Sequence, residues 1–168
     1  MNPLDNIRIT ENFTLGEFYV SAKHPEVAAR MPRTMDDAIS ITRLCALVVQ
    51  PIRNFLGKAV TVGSGKRNDE LNELVDGSDT SQHCHAEAAD LEIKGDDTWR
   101  AFHFVADELK GVIGQCIIYL DEHLNPEFLH VSTRSLKGST KVQGDFRVKL
   151  AGNPKYFRYG FDKIPGVS

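Results

Sequence analysis

Ser81-Gln82-His83-Cys84-His85-Ala86-Glu87-Ala88-Ala89-Asp90-Leu91-Glu92-Ile93 is the stretch on which the reading of the fold turns. From Ala88 the residues alternate with the period of two that marks a half-buried strand. Alternation sends Ala89, Leu91 and Ile93 to a core and Ala88, Asp90 and Glu92 to the opposite face. Asp90 is thus presented from a strand into whatever cleft that face lines. His83 lies seven residues earlier, an odd separation that would put it on the far face of one regular strand, so it is predicted on the loop leading in. Seven residues also align on a helix, but the alternation after Ala88 favours the strand.

Downstream, Glu127-Phe128-Leu129-His130 repeats the situation. Residues three apart face opposite ways in a continuous strand, so His130 belongs on a strand and Glu127 at its entry, where Pro126 is also tolerated. Together His83, Asp90 and His130 offer two imidazoles and a carboxylate, the kind of set that holds a catalytic zinc and leaves one position for water. Glu127 offers the further carboxylate that such chemistry uses as proton acceptor. Taken singly, each has an ordinary reading: a loop histidine, a salt-bridged strand carboxylate, a surface acid and a core histidine. With 6 His and 23 Asp and Glu in the chain, such sets also arise by number alone. His85 and Cys84 are near enough to His83 to compete for a metal.

Working outward, Thr14-Leu15-Gly16-Glu17 reads as a capping box opening a short helix, with Phe13 and Phe18 as packing anchors. Pro25 and Pro32 predict an irregular arm. Ile39, Leu44, Leu47, Val48, Ile52, Phe55 and Leu56 recur near helical period and predict the longest helix, about Met35 to Phe55, which Pro51 kinks or divides and Gly57 closes. Strands are predicted at 59–64, 88–93, 116–120, 128–132 and, more weakly, 146–150, and an amphipathic helix around Trp99, Phe102, Ala106 and Leu109. Asp76-Gly77-Ser78 marks a turn in a polar loop. The fold class is α+β: a mainly antiparallel central sheet with flanking helices.

At 168 residues and 41% hydrophobic content the chain suits one domain with one core, here 1–168, with 1–34 as an N-terminal arm and 133–168 as a basic C-terminal segment. A net charge of −3 and a pI near 6.1 argue against a general nucleic-acid binder. Charge is unevenly spread. Residues 69–97 carry ten acidic groups against Lys94, whereas 133–158 carry seven Lys and Arg, Lys137, Lys141 and Lys149 among them, against Asp145. The plain reading is two solvated faces; the sharper one is a basic third that leans on an anionic polymer. Cys45, Cys84 and Cys116 form no disulfide framework, and Cys45 and Cys116 sit in apolar runs as small hydrophobes. The first residues show no signal-peptide pattern and no apolar run is long enough to span a bilayer, which predicts synthesis in the cytoplasm, no membrane insertion and release by another agent.

Ser81-x-His83-x-x-Ala86-x-Ala88-x-Asp90 resembles the Ser-x-His-x-x-Gly-x-Ala-x-Asp signature of the D-alanyl-D-alanine metallopeptidases, zinc enzymes of peptidoglycan with the hedgehog/D,D-peptidase fold. Glu127-Phe128-Leu129-His130-Val131-Ser132 is similar to that family's second motif. Phe13-Thr14-Leu15-Gly16-Glu17-Phe18, Gln50-Pro51-Ile52-Arg53 and Val62-Gly63-Ser64-Gly65-Lys66-Arg67 resemble its phage and prophage branch. The resemblance implies one zinc ion on His83, Asp90 and His130, Glu127 as catalytic base, and Arg67 and Ser81 as holders of the substrate peptide. It further implies a monomeric, endolysin-like peptidase acting on the cell wall. Two other readings fit the same residues: a D,D-carboxypeptidase or dipeptidase on D-Ala-D-Ala termini, and a non-catalytic wall-binding or virion module. Ala86 stands where the signature has glycine, which is costly if the position needs positive φ.

Overall fold

In the computed structural model, which describes residues 2–135 and 144–167, six strands form one sheet: β1 (Thr61–Ser64), β2 (Ala88–Glu92), β3 (Ile113–Leu120), β4 (Pro126–Thr133), β5 (Asp145–Leu150) and β6 (Tyr156–Arg158). Their spatial order is β1-β2-β4-β3-β5-β6, antiparallel except for the parallel pair β3 and β5. The α+β architecture with a mainly antiparallel sheet is as expected from the sequence. The edge strand β6 was not foreseen, its three residues being too short to show a pattern. Lys137 and Lys141 lie outside the described residues; Lys149, on β5, stands over the Tyr156 ring at 4.8 Å.

Helices cover one face of the sheet. The helix predicted at about Met35 to Phe55 exists as a continuous run of α2 (Met35–Leu44), a π turn (Cys45–Val49) and α3 (Gln50–Leu56), closed by Gly57 at φ 63°. Pro51 therefore does not end it, because the wider turn ahead absorbs the missing donor and the ring. The amphipathic helix α5 (Asp97–Glu108) buries Thr98, Ala101, Phe102 and Val105. Against these helices the sheet turns Ala89, Leu91, Cys116, Ile118, Leu129, Val131 and Val148, all fully buried. Burial pushes the Cys45 thiol up to about 11 and the Cys116 thiol further, so both behave as the small hydrophobes expected.

Two segments read as irregular are ordered. Pro25 starts the short helix α1 (Pro25–Arg30), where its fixed φ and missing donor suit the first turn. Its Val27 and Ala28 are buried. The polar loop ahead of the Asp76 turn contains α4 (Asp69–Leu74), capped by the Asn68 side chain on the Leu71 amide. The capping box at Thr14 forms as read, the Thr14 amide donating to Glu17 Oε1 at 2.8 Å, and leads into a 3-10 turn at Leu15–Phe18. No described helix is long and apolar enough to cross a membrane.

Candidate metal centre

The face of the sheet turned away from the helices lines a cleft of about 1230 Å³. Strand register decides what it displays. Ser64 on β1, Asp90 on β2, His130 on β4, Ile117 on β3 and Arg147 on β5 are successive cross-strand partners, so they share that face in one row. Asp90 and His130 are directly opposite each other, and His130 Nδ1 lies 2.8 Å from Asp90 Oδ1.

His83 comes from outside the sheet, on a 3-10 turn, Gln82–His85, in place of the open loop expected. The turn is tied to the segment after β1 three times. His83 Nδ1 lies 2.7 Å from the Gly65 carbonyl, the Arg67 amide donates to the His83 carbonyl at 3.1 Å, and Lys66 Nζ donates to the Cys84 carbonyl at 2.7 Å. A carbonyl only accepts, so His83 Nδ1 carries the ring proton and Nε2 presents its lone pair. That Nε2 lies 3.3 Å from both Asp90 Oδ1 and His130 Nδ1. On the other side, the Gln82 side chain donates to the Thr133 carbonyl at 2.9 Å and accepts from Ser132 Oγ at 2.8 Å, binding the turn to β4.

One donor atom from each of His83, Asp90 and His130 lies within 4.8 Å of the others, a cluster that could hold a metal ion. Their side chains are 3%, 16% and 11% exposed, so the cluster is shielded yet reachable from the cleft. Burial alone would raise the Asp90 carboxyl, but the two imidazoles outweigh it and hold the group well below the usual carboxylate range. Burial likewise pushes the His130 imidazole below its ordinary value, against the pull of Asp90. An ionised carboxylate at Asp90 and an imidazole at His130 that gives up its proton readily are the forms a metal needs. Two nitrogens and one oxygen on rigid elements, with no fourth protein donor in the cluster among the described residues, fit a catalytic zinc better than a closed structural one.

Glu127 lines the same cleft from the second residue of β4, at the strand entry. Phe128 pairs with Tyr119 and Pro126 with Leu120, so Glu127 is the extra residue of a bulge. The bulge breaks the alternation and brings Glu127 and His130, three apart, to one cleft. Ser81 lines the cleft at the start of the 3-10 turn. Arg67 also lines it but is engaged with the sheet: Nη2 donates to Asp90 Oδ2 at 2.8 Å and, with Nε, to Ser64 Oγ at 3.2 Å. His85 is exposed and Cys84 half-buried, and both lie outside the cluster. Ala86 adopts φ 57° and ψ 26°, the left-handed conformation in which glycine is at ease.

Ser64, Gly65 and Gln82 hold the site through hydrogen bonds that only the folded chain reveals. Tyr119 lines the cleft with its phenol pushed well above the ordinary value by burial and by its contact with the Tyr156 hydroxyl at 3.3 Å, so it stays a neutral donor.

A half-buried carboxylate between two imidazoles, on the open face of an α+β sheet, is an arrangement that could hold a metal ion in a cleft. A family model for Peptidase M15 matches residues 11–124, more than half of the chain, and no curated protein matches it. The chain belongs to the Peptidase M15 family, metallopeptidases of the D-alanyl-D-alanine type. The matched segment takes in Arg67, Ser81, His83 and Asp90 and ends before Glu127 and His130. Strand register joins those two to the rest.

Proposed function

We propose that the protein is a zinc peptidase that hydrolyses an amide bond in the stem peptides or cross-links of bacterial peptidoglycan, in the manner of a phage or prophage endolysin. The convergence of His83 Nε2, Asp90 Oδ1 and His130 Nδ1 in a cleft that also receives Glu127 carries this reading. Bound there, zinc would supply a Lewis acid for the peptide carbonyl and bring the pKa of a water toward neutrality. Glu127 then takes the proton of the attacking water and returns it to the leaving amine, so bond cleavage releases no strong base. Its position on a bulge, exposed within the cleft, leaves it free to serve both ends of that transfer. Asp90 keeps one oxygen for the metal because Arg67 holds the other. Arg67 Nη1 makes no hydrogen bond among the described residues, and with Ser81 it holds the substrate backbone near the ion. The peptide is the proposed partner, taken up by one chain acting alone.

Purified peptidoglycan digested with native protein, chelator-treated protein and Glu127→Ala tests this, with fragments read by mass. The native protein is expected to release fragments whose masses name the bond, and either treatment to slow release by about 100-fold or more, the usual weight of a general base. Equal release by Glu127→Ala would refute the mechanism. Loss of single D-Ala residues without solubilised wall would instead point to a D,D-carboxypeptidase.

A further inference from the structure

The row of side chains that carries Asp90 and His130 does not end at the metal cluster. Two strands further on, past the buried Ile117, it reaches Arg147 on β5, which lines the same cleft. Neighbouring strands are about 4.8 Å apart, so Arg147 starts about 10 Å from His130 along the cleft floor. That is the span of about three extended peptide residues, and less once the arginine side chain reaches back.

Arg147 is built to face a ligand. Its Nε donates to Asp145 Oδ1 at 2.8 Å, and the other oxygen of Asp145 is fixed by Gln115 Nε2 at 2.7 Å. This spends one edge of the guanidinium on orientation. Among the described residues, neither Nη atom is hydrogen-bonded. Tyr156 lies beside the group, its ring centroid 5.9 Å from the guanidinium carbon, and Tyr119 stands next in line with its hydroxyl against that of Tyr156. The side chain is 36% exposed, reachable yet partly withdrawn from water, where a charged hydrogen bond counts for more than in bulk solvent. The other cations of the cleft are differently placed. Arg67 stands beside the metal cluster with Nε and Nη2 on Ser64 and Asp90, and Lys23 and Lys94 are exposed on the rim. Lys149 and Arg158 lie next to Arg147 on β5 and β6 and add positive charge at this end.

We infer that Arg147, oriented by Asp145 and Gln115, is the anchor of a subsite that takes a carboxylate of the substrate, within about three residues of the bond that is cut. The inference rests on the peptidase reading for its substrate and adds a specificity: the peptide must be acidic at that position. In a stem peptide the carboxylate has two sources, the α-carboxyl of a γ-linked D-glutamate or the C-terminal carboxyl.

Three synthetic stem tetrapeptides distinguish them: one with both carboxyls free, one amidated at D-glutamate, and one amidated at the C-terminus. Binding of each to zinc-loaded protein is measured by calorimetry, and cleavage is followed in parallel. The native protein is expected to bind the free peptide at least tenfold more tightly than one of the two amides, which identifies the carboxylate. Arg147→Gln is expected to bind all three alike, at the level of that amide, with unchanged zinc uptake and thermal midpoint. Equal binding of the three by native protein, or a preference that survives Arg147→Gln, overturns the subsite. Selective binding without cleavage of either these peptides or whole wall would leave the subsite standing and remove the peptidase reading. Cleavage of all three at one rate with equal affinity would do the reverse.

Discussion

Ala86 shows how one residue can depart from a pattern and keep the geometry the pattern serves. Its left-handed torsions end the turn that carries His83 and start the approach to β2, a conformation that glycine adopts without cost. The conformation costs a non-glycine residue about 1–2 kcal/mol, set against about 0.8 kcal/mol for a buried methyl group. Ala86→Gly is therefore expected to leave stability unchanged or raise it by up to about 1 kcal/mol, whereas a β-branched Ala86→Val is expected to lower it by more than about 2 kcal/mol. Denaturant midpoints decide this, and clear destabilisation by Ala86→Gly would contradict it. Titration is also set at this scale. The native pKa of His130 is lowered, so the unfolded chain takes up that proton first and stability falls as pH drops through about 6.5. The Asp90 carboxyl is depressed, so its contribution is complete above about 3.9 and is lost only at lower pH, with the same sign. Metal-free protein is expected to lose stability from neutral to mildly acid pH, and His130→Gln to flatten that slope. A slope unchanged in His130→Gln would assign the titration elsewhere.

At the scale of elements, the site is made by the segment after β1 and the turn Gln82–His85, laced together and braced from behind. Gly65 is central to both functions. Its carbonyl orients His83, and its amide approaches the Val20 carbonyl at 3.3 Å. A Cβ there would come within 2.1 Å of the Phe18 carbonyl oxygen, a backbone atom that cannot swing aside. Gly65→Ala is expected to cost about 1–3 kcal/mol in stability and, by displacing the carbonyl, to weaken zinc affinity by about 10- to 100-fold. Zinc titration of the folded variant checks the second effect, and native affinity would show that the His83 orientation does not depend on Gly65. Much of this level was legible: alternation placed Asp90 and His130 on strands and spacing kept His83 off them. The bulge at Glu127 was not, because an extra residue leaves no mark in a hydrophobic pattern. The π turn that accommodates Pro51 was equally hidden, since it depends on the hydrogen-bonding partners of the surrounding backbone.

For the molecule as a whole, the cluster is a small buried-charge problem that a bound metal would resolve. Without an ion, Asp90 is held among two imidazoles and Arg67; with one, three donors converge on a single charge. On the proposed function zinc would bind only the folded arrangement, so free zinc at 100 times the dissociation constant is expected to stabilise the protein by about 2.7 kcal/mol. Thermal midpoints with zinc, with chelator and for Asp90→Asn test this. The midpoint should rise with zinc, and Asp90→Asn should lose most of that dependence. An equal rise in the variant would place the metal elsewhere.

The sequence by itself determined the fold class, the two strands and their facing, the donor types and the family pattern, because these depend on period, local propensity and residue chemistry. Only the tertiary structure decided that Glu127 reaches the cleft through a bulge, that Arg67 braces Asp90, that Ala86 is left-handed, and that Arg147 shares a row with the metal cluster. The bulge, the brace and the row depend on strand order and register, which bring together residues up to 83 positions apart, Ser64 and Arg147. No local pattern carries information over that distance.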